Sequence, residues 1–344
     1  MSATKNRGLR IEEIGEFAFI RSIQDGCHFS LEKLIKGIGD DCAVIGPYQD
    51  RLFLITTDLL VEDIHFILER IPPEHLGEKV VAVNLSDIAA MGGNPLHLFL
   101  SLAIPPSMRV ETLHSLYRGI KAMCRRYRTN ILGGDTSASP DGLMISVTAI
   151  GEAPGEEVLF RSGAKAGDRI YLTGTLGDSV AGLKLIKEEL SAPGPLAAAL
   201  KEAHNRPIPQ LEAGRVIARS RLASAMIDVS DGLLSDLRHI CGASGVGATL
   251  LKLALPLSDN LKALAEINSF DPYELALSGG EDYRLLIIVP HKNVGQFEKI
   301  FEKGGPCRVY RLGEITGEAG IKIVGPDGVK EEVEVSGFDH FRGT

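Results

Sequence analysis

Short aliphatic runs alternate with polar, glycine-punctuated turns along the chain, and two hydrophobic periods sort those runs into helices and strands. Ile11, Ile14, Phe17 and Ala18 recur at helical spacing and predict an amphipathic helix over 11–23. Residues 51–57 (RLFLITT) read as a strand whose end presents Asp58, and 96–104 and 143–150 read as two more. Pro72-Pro73 opens a helix that runs to about Met91 and is closed by Gly92-Gly93, and 111–127 is a basic amphipathic helix. Residues 152–168, rich in Gly, Pro and charge, read as a crossover. Beyond it, 169–173, 225–229 and 284–289 are strands, while 178–189 and 294–303 are helical. Residues 191–210, rich in Ala and Pro, read as a surface excursion. Ser230 or Asp231 is placed to cap the helix GLLSDLRHIC, and Pro326-Asp327-Gly328 marks a hairpin turn. The expected class is α+β in two domains, 1–151 and 152–344.

Length and composition narrow the partners. The 344 residues exceed one ordinary core, and a 44% hydrophobic, 24% charged chain is that of a soluble globular protein. Lys and Arg number 37 against 45 Asp and Glu, a net charge of −8 with no long basic run, which argues against nucleic acid. The five scattered cysteines form no Cys-x-x-Cys pair, so neither a disulfide framework nor a zinc site is expected. No apolar run approaches a membrane span and the N-terminal residues show no signal core, so the expectation is a cytoplasmic protein.

Candidate chemistry lies in a series of aspartates beside glycines or at the ends of apolar runs. They read Gly-Ile-Gly-Asp40-Asp41, Thr56-Thr57-Asp58, Asn84-Leu85-Ser86-Asp87, Gly133-Gly134-Asp135, Asp228-Val229-Ser230-Asp231-Gly232 and Gly279-Gly280-Glu281-Asp282. Any single such turn is ordinary, since Asp and Gly are common turn residues. Collected in one place, however, these carboxylates would repel one another unless hard cations such as Mg2+ intervened. Thr56, Thr57 and Asp58 can offer three oxygens from one turn, and Asn84 and Asp87 share a helix face. Asp87 falls where the helix dipole is negative, so it too calls for a cation. Gly174-Thr-Leu-Gly177-Asp178-Ser179 could cradle a phosphate, although a capped strand-to-helix turn is the plainer reading. No P-loop, protein-kinase signature, dinucleotide fingerprint or EF-hand is present, and no Ser-His-Asp order suggests covalent catalysis. The pattern points to magnesium-dependent phosphoryl transfer.

The same strings, in order from Glu16 to Phe341, resemble those of the thiamine-monophosphate kinases. The resemblance rests on GIGDDCAV, TTDLLVEDIHF, AVNLSDIAAMG, GGDT, IDVSDGL and LSGGEDY. It implies the two-domain aminoimidazole ribonucleotide synthetase-like fold, an N-terminal α/β sandwich forming a homodimer interface followed by a C-terminal α/β domain. It also implies transfer of phosphate from ATP to thiamine monophosphate. By motif, Asp41, Thr56, Thr57, Asp58, Asp87, Asp135, Asp228 and Asp231 would hold several Mg2+ ions, with Asp58, Asp87, Asp135 and Asp231 central to catalysis. Tyr117, Gly134, Asp135, Arg161 and Ser230 would contact ATP, and His65, Glu281 and Phe338 the thiamine phosphate. Asp40 and Asp282 would be ligands or supporting groups. Another ATP-using member of the superfamily, or a nucleotide- and metal-binding regulator without turnover, is the alternative.

Overall fold

The computed structural model describes residues 10–302, 304–333 and 341. Its strands are β1 (Leu34–Lys36), β2 (Ala43–Tyr48), β3 (Arg51–Val61), β4 (Asn94–Ile104), β5 (Asn130–Ala138), β6 (Met144–Pro154), β7 (Arg169–Thr173), β8 (Ala225–Asp228), β9 (Gly247–Leu251), β10 (Leu285–Val289), β11 (Val309–Thr316), β12 (Ile321–Val324) and β13 (Lys330–Glu332). Its helices are α1 (Ile11–Ile14), α2 (Glu16–Ile23), α3 (Pro73–Ala90), α4 (Val110–Arg126), α5 (Asp178–Ile186), α6 (Gly194–Asn205), α7 (Leu211–Ser220), α8 (Leu233–Ser244), α9 (Asp259–Asn268), α10 (Pro272–Ser278) and α11 (Val294–Glu302).

The strands form two mixed sheets, one ordered β1-β2-β3-β6-β4-β5 and the other β13-β12-β9-β11-β7-β10-β8. In the first, alternation decides the faces. Leu52, Leu54, Leu60, Leu98, Leu100, Ile145, Val147 and Ala149 are buried on the inner face, whereas Leu59 and Phe99 on the outer face are 53% and 39% exposed. The buried α3 lies against β3 and β6 on the inner face, and α4 packs on α3. That helix pair approaches closely because two glycines face the opposing backbones: a Cβ on Gly119 would sit 1.8 Å from Glu74 O, and one on Gly77 would sit 2.0 Å from Leu116 O.

In the second sheet strand β10, flanked by β7 and the edge strand β8, is buried on both faces. Leu286 and Ile288 join the core under α8, while Leu285, Ile287 and Val289 join the core shared with α3 and the first sheet. Burial on both faces explains why this strand reads as an unbroken apolar run. The same packing sets α3 at the junction of the two sheets, in contact with β3, β6, β8, α6 and α7.

Several local expectations change. The predicted helix over 11–23 breaks at Gly15, whose φ of 74° separates α1 from α2. Strand β3 does not stop at Thr57 but continues to Val61, paired with β6 throughout, so Thr56-Thr57-Asp58 is extended strand and not a turn. Gly133-Gly134-Asp135 likewise lies within β5, and Gly134 allows a close approach that a Cβ, 1.6 Å from Leu100 O, would forbid. The 191–210 stretch is no surface excursion: α6 packs against α5 and buries Leu200, His204 and Asn205. The helix after β8 is capped neither by Ser230 nor by Asp231. Gly232 is its N-cap, and Asp236 of the first turn reaches back to accept the amides of Ser230, Asp231 and Gly232. The hairpin at Pro326-Asp327-Gly328 is present, with β12 and β13 antiparallel.

Candidate active site

Three segments from both halves of the chain converge beside the buried C-terminal part of α3. Asp87 projects from that helix, Asp41 from the Gly-Asp turn before β2, and Asp228 from the end of β8. One carboxylate oxygen of each lies within 4.8 Å of the others. Asp41 and Asp228 are 6% and 2% exposed, so water does little to screen the charges. Asp58 joins them from the inner face of β3, and Asp231 from the turn after β8.

The hydrogen-bond donors around this cluster are few. The Thr56 hydroxyl donates to Asp87 Oδ2. Ser86 Oγ donates to Asp228 Oδ2 at 2.5 Å. Arg161 directs Nε and Nη2 at Asp41 Oδ1, at 3.0 and 2.6 Å. Asp41 Oδ2 and Asn84 Oδ1 are buried without a hydrogen-bond partner among the described residues. Asp40 is held apart from this set by Lys36 at 3.3 Å and by the Arg161 amide at 3.2 Å.

Burial dominates the electrostatics. It pushes the Asp41 carboxyl up to about 7 against the pull of Arg161, with Asp228 and Asp40 adding to the rise. Burial, reinforced by Asp231, lifts Asp58 to about 6. Burial lifts Asp228 to about 6, opposed by Ser86 and Arg161 and aided by Asp58 and Asp231. Burial and then Glu16 lift Asp231 to about 6. Asp87 is driven well above the carboxylate range by burial, followed by Asp58, Asp228 and Asp41. A buried set of mutually repelling carboxylates, one with an orphaned oxygen, is a donor set suited to a hard divalent cation.

The predicted ligands do not all meet. The pleat turns Thr57 to the outer face, where its hydroxyl donates to Val147 O at 3.1 Å, so the three-oxygen turn expected at 56–58 reduces to Thr56 and Asp58 on the inner face. Asp135 also lies on the outer face. It is exposed on edge strand β5, in a row with Ser101, Ser146 and Leu59, three strands from β3. At about 4.8 Å per strand that is roughly 14 Å from Asp58 within one chain. Gly134 stands beside it. Tyr117 lies half-buried on α4 against the core, and Ser230 offers its amide to Asp236. Phe338 falls outside the described residues.

A second polar centre adjoins the first. Glu281 Oε2 meets Lys79 Nζ at 3.0 Å and His204 Nδ1 at 3.2 Å. His65 lies nearby, its carbonyl 3.5 Å from Lys79 Nζ. His65 Nδ1 accepts the Val61 amide at 3.0 Å, which leaves the ring proton on Nε2. Asp282 points elsewhere: it accepts the amides of Gly177 and Ser179 at 2.6 and 3.3 Å. The Gly174–Ser179 turn is therefore a helix start capped by the chain's own carboxylate and no phosphate cradle. Neither Lys79 nor His204 stood out in the sequence. A lysine within the apolar run of α3 was the one available signal, because a charge on a buried helix demands a partner.

Known proteins share the sequence and the fold of this chain. The AIR synthase related protein family is matched by its N-terminal domain over residues 39–153 and by its C-terminal domain over 165–325. The thiamine-monophosphate kinase of Aquifex aeolicus is 36% identical over 333 residues, covering 97% of this chain and 100% of that protein. The thiamine-monophosphate kinase of Salmonella typhimurium is 38% identical over 330 residues, covering 95% of this chain and 98% of that protein. Among solved structures, AaThiL complexed with AMPPCP and TMP superposes with a TM-score of 0.85 at 34% identity, covering 97% of this chain and 99% of that one. Both domains, their order and nearly the full length agree, and the chain belongs to the thiamine-monophosphate kinase family of AIR synthase related proteins.

Proposed function

We propose that this chain phosphorylates thiamine monophosphate to thiamine diphosphate at the expense of ATP, by direct in-line transfer with Mg2+. The observation that carries the reading is the buried Asp41–Asp87–Asp228 triad with Asp58 and Asp231 beside it. Full-length relatives named for this activity, and a solved relative complexed with AMPPCP and TMP, support the substrates. Asp41, Thr56, Asp58, Asp87, Asp228 and Asp231 would hold the Mg2+ ions, which would offset the repulsion between two anionic phosphates.

The residues themselves favour direct transfer. The attacking oxygen belongs to a phosphate already largely ionised near neutral pH, its second pKa being about 6, so no general base is required. The thiol nearest the cluster, Cys42, is kept protonated by burial and then by Asp87 and Asp41, and so is a poor nucleophile. His239, close to Asp231 and Asp236, is pushed down to about 4 by burial and then by Arg161, and its ring meets that of Phe17 in a tilted contact at 4.9 Å between centroids. The enzyme's task is then to position two anions in line and exclude other acceptors.

Purified protein with ATP, Mg2+ and either thiamine monophosphate or thiamine tests the reading. Thiamine diphosphate and equimolar ADP should form from the monophosphate alone. ADP without thiamine diphosphate would overturn the acceptor, and a phosphorylated protein trapped without acceptor would overturn direct transfer.

A further inference from the structure

Lys79 is a charged residue buried to 0% exposure on a helix otherwise given to the core. Such a group is costly unless every donor is used. Here all three are matched: Nζ reaches Glu281 Oε2 at 3.0 Å, His204 Nε2 at 3.3 Å and His65 O at 3.5 Å. The lysine proton toward Nε2 assigns the ring proton of His204 to Nδ1, which faces Glu281 Oε2 at 3.2 Å and Ser179 Oγ at 3.1 Å. Burial, then Lys79, push His204 down to about 4, in keeping with a neutral ring.

Glu281 is thus gripped through one oxygen only. No described residue hydrogen-bonds its Oε1, and 26% of the side chain is open. Its backbone is set at φ 62°, a left-handed conformation uncommon outside glycine. A glutamate held this way accepts hydrogen bonds and donates none.

Resting on the proposed acceptor, we propose that Lys79, steadied by His204, is a positioning residue that fixes Glu281 as an ionised, acceptor-only carboxylate, whose free oxygen reads the exocyclic amine of the acceptor's aminopyrimidine. Lys79 acts through Glu281 and touches neither phosphate. The charged and titratable groups that act on or are acted on by Glu281 are Lys79 of α3, His204 of α6 and His65 after β3, together with acidic Asp231 and the Tyr283 phenol. Burial raises its carboxyl, and the three cationic or polar partners together outweigh that and lower it.

The test is steady-state kinetics of Lys79→Met, with thiamine monophosphate and with its analogue bearing oxygen in place of the amine. In the wild type the amine-bearing acceptor should be preferred. In Lys79→Met the KM for thiamine monophosphate should rise about tenfold, as expected for loss of one charge-assisted hydrogen bond, while the KM for ATP stays within about twofold. The preference for the amine should collapse, and the acid limb of kcat/KM should move to higher pH, because Glu281 has lost the cation that kept it ionised. Unchanged acceptor KM and acid limb, with only a lower unfolding temperature, would reduce Lys79 to a structural role and overturn the proposal. Glu281→Gln tests the same oxygen should Lys79→Met not fold: it should raise the acceptor KM similarly, and an unaltered KM would also overturn it. Wild-type protein that makes no thiamine diphosphate would defeat the proposed function instead, a result separate from either variant.

Discussion

Asp87 shows how one residue can oppose the fold and serve the chemistry. Its carboxylate is buried among Asp58, Asp228 and Asp41, with the Thr56 hydroxyl as its donor. Removing the charge relieves repulsion in the metal-free protein while removing an oxygen from the proposed cation site. Asp87→Asn should therefore raise the metal-free unfolding temperature and lower kcat by about a thousandfold, the scale of losing a central electrostatic group. Calorimetry and single-turnover assays on the same preparation check both halves, and near-normal turnover at saturating Mg2+ would count against the site. The pH dependence follows from the same carboxyls. Folded values near 6 to 7 for Asp41, Asp58, Asp228 and Asp231 lie above the ordinary unfolded carboxylate, so the folded state binds more protons between about pH 4 and 7. Metal-free stability should accordingly rise as pH falls from 8 toward 5. Mg2+ should reverse that slope, and its binding should release protons at pH 6 but few at pH 8.5, measurable by titration calorimetry in buffers of different ionisation enthalpy.

At the scale of elements, α3 carries the most. One face meets α4 through the Gly77 and Gly119 contacts, another meets the first sheet, and its C-terminal turns present Ser86 and Asp87 to Asp228 of the second sheet. Gly119→Ala should destabilise the protein by about 2 kcal/mol in urea unfolding, despite the roughly 1 kcal/mol that alanine gains in helix propensity, because backbone cannot retreat from the new Cβ. Helix α3 was legible because Pro72-Pro73 and Gly92-Gly93 bracket it, and β10 because an apolar run between polar flanks is buried on both faces. Local signals failed where tertiary pairing decides. The chain at Thr57 has every mark of a strand end, yet β6 supplies partners as far as Val61. In 191–210, alanines and prolines resemble a loop, yet packing on α5 makes a helix whose His204 completes the Lys79–Glu281 centre. The aspartates were found by type and spacing, but their faces follow from register, which a sequence read one segment at a time does not contain.

At the scale of the whole molecule, the outer face of the first sheet poses the remaining question. Leu59, Phe99 and Leu132 are exposed on it or at its edge, and Thr57 and Asp135 face the same way, across the sheet from Asp58 and Asp87. An expected homodimer formed on this face would cover the apolar side chains and bring Asp135 of one copy toward the Thr57–Asp58 strand of the other. Catalysis would then need both copies, which subunit mixing can decide. Asp58→Asn and Asp135→Asn homodimers should each be inactive. Unfolded together in equal amounts and refolded, half of the dimers would be mixed. Each mixed dimer would hold one site with both aspartates and one with neither, restoring about a quarter of wild-type activity. If Asp135 served its own chain's site, every site in the mixture would lack one aspartate and no activity would return. Phe99→Asp provides the companion measurement: a charge on the covered face should yield monomers by analytical ultracentrifugation, with turnover lost while the Asp41–Asp87–Asp228 cluster, on the opposite face, still binds Mg2+. A fully active monomer would place the complete site within one chain.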